Sequence, residues 1–225
     1  MIMQEGRTSS QQSLEQNYDA ERQLGEQLQQ FDLWEKLVDQ SPHSLEFEDY
    51  PEWLTLMRQA ERVMAREPQS EHSLSLLGRC WALSEEGETC AEWARQHLQE
   101  SHVREMVWHL ATDVEPYTRW QACAVLGDLP ILDNQTMRVL EKGLTDEDAY
   151  VRRRAFLALL RHNGGIDVQP YFRQMLTDED SYNRYVAVRQ ALPANADALQ
   201  SLIQSAADDP AVARLIEFDA PIERD

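Results

Sequence analysis

Six histidines (43, 72, 97, 102, 109 and 162) and three cysteines (Cys80, Cys90 and Cys123) are the side chains best suited to hold a metal or to act as base or nucleophile. Their spacing serves none of these purposes. There is no H-E-x-x-H and no C-x-x-C, and His102 and His109, seven apart on one helical face, have no accompanying carboxylate motif. No G-x-x-x-x-G-K loop, G-x-G-x-x-G or G-x-S-x-G stands anywhere in the chain. Carboxylates are so abundant that no pair stands out as an acid and base. The sequence therefore predicts a protein without catalytic residues, cofactor or metal, and three thiols in no paired arrangement predict a reducing compartment.

The regular charged feature is of another kind. Asp113 and Arg119, Asp146 and Arg152, Asp178 and Arg184, and Asp208 and Arg214 each stand six residues apart. An arginine beside the apolar positions of a helix buries its stem, and its guanidinium then needs acceptors, which a turn aspartate supplies in bidentate geometry. These eight residues are expected to form a structural ladder that staples one helical hairpin to the next.

The pairs belong to a longer repeat. In ATDVEPYTRWQACAVLGDL, LTDEDAYVRRRAFLALLRH and LTDEDSYNRYVAVRQALPA, five slots match: Thr112, Thr145 and Thr177; Asp113, Asp146 and Asp178; Tyr117, Tyr150 and Tyr182; Arg119, Arg152 and Arg184; Ala122, Ala155 and Ala187. AADDPAVAR is a degenerate fourth copy, as a terminal cap in a stacked array usually is. Each copy predicts two helices. The first, such as 134–144 or 168–176, carries an apolar residue at Val107, Leu140, Phe172 or Leu202. The second follows Glu115, Asp148 or Asp180 at the N-cap, and Pro116 suits a first helical position. Its buried face runs through Ala155, Phe156 and Leu159 and their counterparts.

These residues resemble the HEAT repeat, in the short form known from phycobilisome-lyase-type proteins, over about residues 101 to 217. The resemblance implies an all-α fold, an α-solenoid of stacked antiparallel helix pairs, and a role among adaptors and binding scaffolds. A chromophore-lyase-like role would need an apolar tetrapyrrole groove that the sequence does not show. A HEAT-like DNA glycosylase would need a basic groove, for which only Trp120 and Arg152–Arg154 speak.

The first half reads as helical and less regular. Leu14, Tyr18, Leu24, Leu28, Phe31 and Trp34 or Leu37 mark an amphipathic helix over 12–38 that ends near Ser41-Pro42, after a disordered tail at 1–11. Leu74, Leu77, Gly78 and Trp81, with Cys90 and Ala94, resemble a tetratricopeptide unit preceded by Pro68 and predict an αα-hairpin around Gly78. The expected organisation is thus a tail, an irregular helical segment over 12–100 that continues the stack, and the repeats with their cap over 101–225.

Composition limits the partner. The 225 residues hold 40 acidic and 21 basic side chains, net −19, and 19 of the 21 are arginine. Such a field repels nucleic acid and attracts a basic protein. Turn acids beyond the needs of capping, Glu115, Glu147, Asp148, Glu179, Asp180 and Asp209, predict an acidic ridge. Trp120, Arg153, Arg154, Tyr185 and Arg189, read as an outward face of the second helices, are the expected anchors. The tyrosine column at 117, 150 and 182 is expected to seal the seam between repeats. With no apolar run fit for a signal peptide or a membrane span, the sequence predicts a cytoplasmic, non-enzymatic binder of a basic protein, such as a bacterial immunity protein against a toxin, or an assembly adaptor or chaperone.

Overall fold

The computed structural model describes residues 9–38, 47–66, 70–84, 88–162, 165–191 and 199–219. The sequence features at Ser41-Pro42, Pro68 and residues 1–8 lie outside them. The fold is all-α, an α-solenoid of HEAT-like repeats. Chain contacts divide it into two units, Met1–Val125 and Leu126–Asp225.

The N-terminal unit holds α1 (Ser9–Val38), a single 3-10 turn (Phe47–Asp49), α2 (Trp53–Met64), α3 (Glu71–Leu83), α4 (Thr89–His97), α5 (Ser101–Leu110) and α6 (Pro116–Leu126). Helix α1 buries Ala20, Leu24, Leu28 and Phe31, a stripe at steps of four and three. Tyr18 and Leu37, expected on that stripe, are exposed, and the helix already begins at Ser9. Phe31 anchors the stripe through edge contacts with Phe47 and Tyr50. Helix α2 packs on α1, α3 and α4, and α3 and α4 both reach α5.

Gly78 stands in the middle of α3, not at a hairpin turn. A Cβ there would lie 2.3 Å from Asp113 Oδ2, so the glycine exists to let the 113–115 turn press on the helix. The same contact is tied by buried hydrogen bonds. Thr118 Oγ1 donates to Gly78 O at 2.6 Å, and Gln121 Nε2 donates to Trp81 O at 2.8 Å. These bonds couple α6 to α3, which explains why the first repeat belongs with the N-terminal unit.

The second unit holds α7 (Asn134–Gly143), α8 (Ala149–Leu160), α9 (Gln169–Leu176), α10 (Ser181–Ala191), α11 (Gln200–Ala207) and α12 (Pro210–Asp219). Within it α8 packs on α7, α9 and α10, and α10 on α9, α11 and α12. The predicted core slots are filled. Ala122, Ala155 and Ala187 are fully buried, and so are Leu140 and Phe156, with Phe172 edge-on to Phe156 at 5.2 Å. Alanine at the closest approach admits the neighbouring helix, and the large residues around it carry the burial.

Candidate interaction surface

The turn that opens each second helix is built the same way three times. Thr112, Thr145 and Thr177 donate their hydroxyls to His109 O, Lys142 O and Gln174 O, closing the last turn of the first helix. Asp113, Asp146 and Asp178 each accept, at 2.8–2.9 Å, from the backbone N–H two residues on. Arg119, Arg152 and Arg184 then fold back. Each Nη1 donates to the carbonyl of its own turn aspartate and to the next carbonyl, as Arg152 does to Asp146 O at 2.8 Å and Glu147 O at 3.1 Å. The threonine's part was not read from the sequence, although its recurrence ahead of each aspartate was the available signal.

The arginine's remaining nitrogens reach the following repeat. Arg152 Nε and Nη2 donate to Asp178 Oδ2 and Oδ1, both at 2.8 Å, and Nη2 to Glu179 Oε1 at 3.2 Å. Burial alone raises the Asp178 carboxyl, but the Arg152 guanidinium, the Asp180 N–H and Asn183 outweigh it and hold the group below its ordinary value. The acid paired with Arg152 is therefore 26 residues downstream, not six upstream.

At the last rung Arg184 Nη2 pairs with Asp209 at 3.1 Å, and Asp208 instead accepts from Gln204. Here α12 starts at Pro210, directly after Asp209, so one aspartate serves both as helix cap and as ion-pair partner. Its bonds from the Val212 and Ala211 N–H groups, aided by Arg184, lower its carboxyl. Arg214 lies exposed on α12.

The expected aromatic–arginine face is corrected. Trp120 and Tyr185 are both buried to 7 % exposure. Their slot, three residues after the tyrosine column, faces a seam and not solvent. The Tyr185 hydroxyl donates to Asp219 of α12, and Arg189 pairs with the same carboxylate at 3.2 Å. In that slot Arg153 is wedged between two tyrosines, 4.1 Å from the Tyr182 ring centre and 5.1 Å from that of Tyr150. It also donates to Asn183 Oδ1 at 2.9 Å and faces Asp180 at 3.5 Å. Arg154 lies 5.6 Å from the Tyr150 ring. The tyrosines are the outward residues: Tyr117, Tyr150 and Tyr182 are 49 %, 37 % and 43 % exposed.

The acidic turns split by role. Asp148 caps α8 by accepting from Tyr150 N and Val151 N, and Asp180 accepts from Asn183 N. Glu147 and Glu179 lie exposed beside them, with the Glu179 side chain 82 % exposed. Glu115, at the expected cap of α6, makes no such bond; its carboxylate has no partner among the described residues. Cys80, Cys90 and Cys123 are buried free thiols, and burial pushes Cys90 up to about 12. Among the described residues no group of three or more histidine, cysteine or acidic side chains could hold a metal ion. No helix there is long and apolar enough to cross a membrane.

Residues 103–192 match the family of HEAT repeats. No curated protein and no solved structure matches the chain. The matched span covers α5 to α10, the helices that carry the three regular turns, and repeats of this family suggest a role in protein–protein interaction or scaffolding.

Proposed function

We propose that this protein is a non-enzymatic binding scaffold whose acidic turns recognise a basic protein partner. The observation that carries this reading is the division of labour among the turn acids. The aspartates cap the helices and are buried against the arginines, whereas Glu147 and Glu179 stand exposed at equivalent places in the second unit, and Glu179 keeps its side chain largely in solvent although one oxygen also reaches Arg152. In a chain of net −19, that exposed charge steers a basic surface toward the turns and speeds encounter. An intracellular inhibitor of immunity type for a basic toxin is the concrete form of this reading. An assembly adaptor or chaperone uses the same features.

The test is capture of the partner from the native lysate, followed by association kinetics across a salt series with the purified pair. Glu147→Gln with Glu179→Gln should slow association and flatten its salt dependence while leaving the melting temperature nearly unchanged. An unchanged association rate at every salt concentration would remove the acidic turns from the binding surface. Asp148 and Asp180 are left intact in this variant, because changing them would also remove helix caps.

A further inference from the structure

The N-terminal unit contains a groove of about 540 Å3 between the end of α1, the outer face of α3 and the turn before α6. That volume falls in the range of ligand clefts, about 300–1,000 Å3. Its apolar wall is Phe47, Leu83 and Val114, and Tyr117 forms one side with a half-exposed ring. Glu35 and Glu115 stand at its edge, and among the described residues neither carboxylate has a partner. Among the described residues the groove's single cation, Arg79, is already bound to Asp32.

Two departures from the repeat pattern coincide here. Val114 fills the slot that holds Glu147 and Glu179 in the other copies, and it is 85 % exposed. An exposed valine in place of a glutamate has no use in the turn itself, since the backbone bonds of the motif are all present. The second departure concerns the tyrosine. Tyr182 is covered by Arg153, whose charge also faces Asp180. Tyr117 and Glu115 are the counterparts of Tyr182 and Asp180. The Arg153 slot of α6 itself is Trp120, and among the described residues no cation or ring lies over Tyr117.

We propose that this groove receives an arginine of the partner, its guanidinium on the Tyr117 ring between Glu35 and Glu115, with a neighbouring apolar residue of the partner against Val114 and Leu83. The reading rests on the proposed recognition of a basic protein and gives it a place. The second unit supplies the template: tyrosine below, acid beside, guanidinium stacked. Charge complementarity selects a cation, because Glu35, Glu115 and Asp113 outnumber the neutralised Arg79. The flat ring selects arginine over lysine, since a planar guanidinium stacks and a hydrated ammonium does not.

The probe is the capped peptide acetyl-Val-Arg-Leu-amide, titrated into the full chain and followed by NMR. Saturable shifts should centre on Tyr117 and Val114. The citrulline analogue, isosteric and neutral, should bind about tenfold more weakly, the loss expected for a partly desolvated cation–π contact beside acids. Tyr117→Ala should weaken the arginine peptide to a similar degree with an unchanged helical spectrum, and Glu35→Gln with Glu115→Gln should flatten its salt dependence. Equal binding of both peptides, equal binding by Tyr117→Ala, or no saturable shift at millimolar peptide overturns the groove. The outcome is separate from that of the acidic turns. If the captured partner still associates through Glu147 and Glu179 while the peptide ignores Tyr117, the groove fails and the scaffold reading stands. If the peptide binds at Tyr117 while the partner ignores Glu147 and Glu179, the groove stands and the turns fail.

Discussion

Arg152 and Asp178 meet across a repeat boundary in a two-pronged ion pair, Nε to Oδ2 and Nη2 to Oδ1, both at 2.8 Å, with side chains only 9 % and 5 % exposed. The pair is the joint between hairpin α7–α8 and hairpin α9–α10. Removing either partner leaves the other charge buried without its counter-ion, whereas removing both leaves a smaller defect.

Arg152→Ala should therefore destabilise the protein by about 2–4 kcal/mol. In a denaturant-based cycle with Asp178→Ala, the double variant should fall short of the summed losses by about 1–3 kcal/mol. The same cycle with Asp146→Ala should show little coupling, because Arg152 takes the backbone oxygen of Asp146, which alanine retains. Strict additivity of the Asp178 cycle would refute the joint.

The pair also sets an acid limit. The Asp178 carboxyl titrates lower in the fold than in the unfolded chain, so the unfolded state binds its proton first. Its contribution is complete above the unfolded value, near 3.8, and is lost as pH falls through the folded one. Asp178→Asn should make stability less dependent on pH below about 5, measured by urea unfolding at successive pH values. A wild-type slope in the variant would place the acid sensitivity elsewhere.

Gly78→Ala tests the contact between α3 and the first turn. Alanine gains about 1 kcal/mol of helix propensity over glycine. The methyl would stand 2.3 Å from Asp113 Oδ2 and 2.9 Å from its Cγ, and that carboxylate is held by the Glu115 N–H. Overpacking of this kind costs about 1–3 kcal/mol, so the net change should be a loss. Adding Asp113→Ala should recover part of it, and a melting temperature that rises in Gly78→Ala alone would show that the turn yields freely.

The cysteines should be inert in the native state. Burial raises Cys80 and Cys90, the latter to about 12, so little thiolate is available to react. Iodoacetamide at pH 8 should leave both unmodified by mass spectrometry until denaturant is added. Rapid labelling of the native protein would mean that the α3–α4 hairpin opens locally.

What the sequence by itself determined is the set of equivalent positions. A repeat of 33 and then 32 residues, the Thr-Asp turn, the apolar steps of three and four, and Pro116 at a helix start specify an all-α array with Ala122, Ala155 and Ala187 in its core. These are local properties, written in the 3.6-residue period and in cap chemistry. Contacts between elements are not local. A period states that Asp146 and Asp178 are alike, but which of them Arg152 meets depends on how far one hairpin is displaced along the next. The fold chose Asp178, and with one residue fewer in the last turn it chose Asp209 over Asp208. Helix orientation likewise decided that Tyr117, Tyr150 and Tyr182 face outward while Trp120 and Tyr185 do not, since residues three apart lie on adjoining sides of one helix and only its packed neighbour settles which side is the seam.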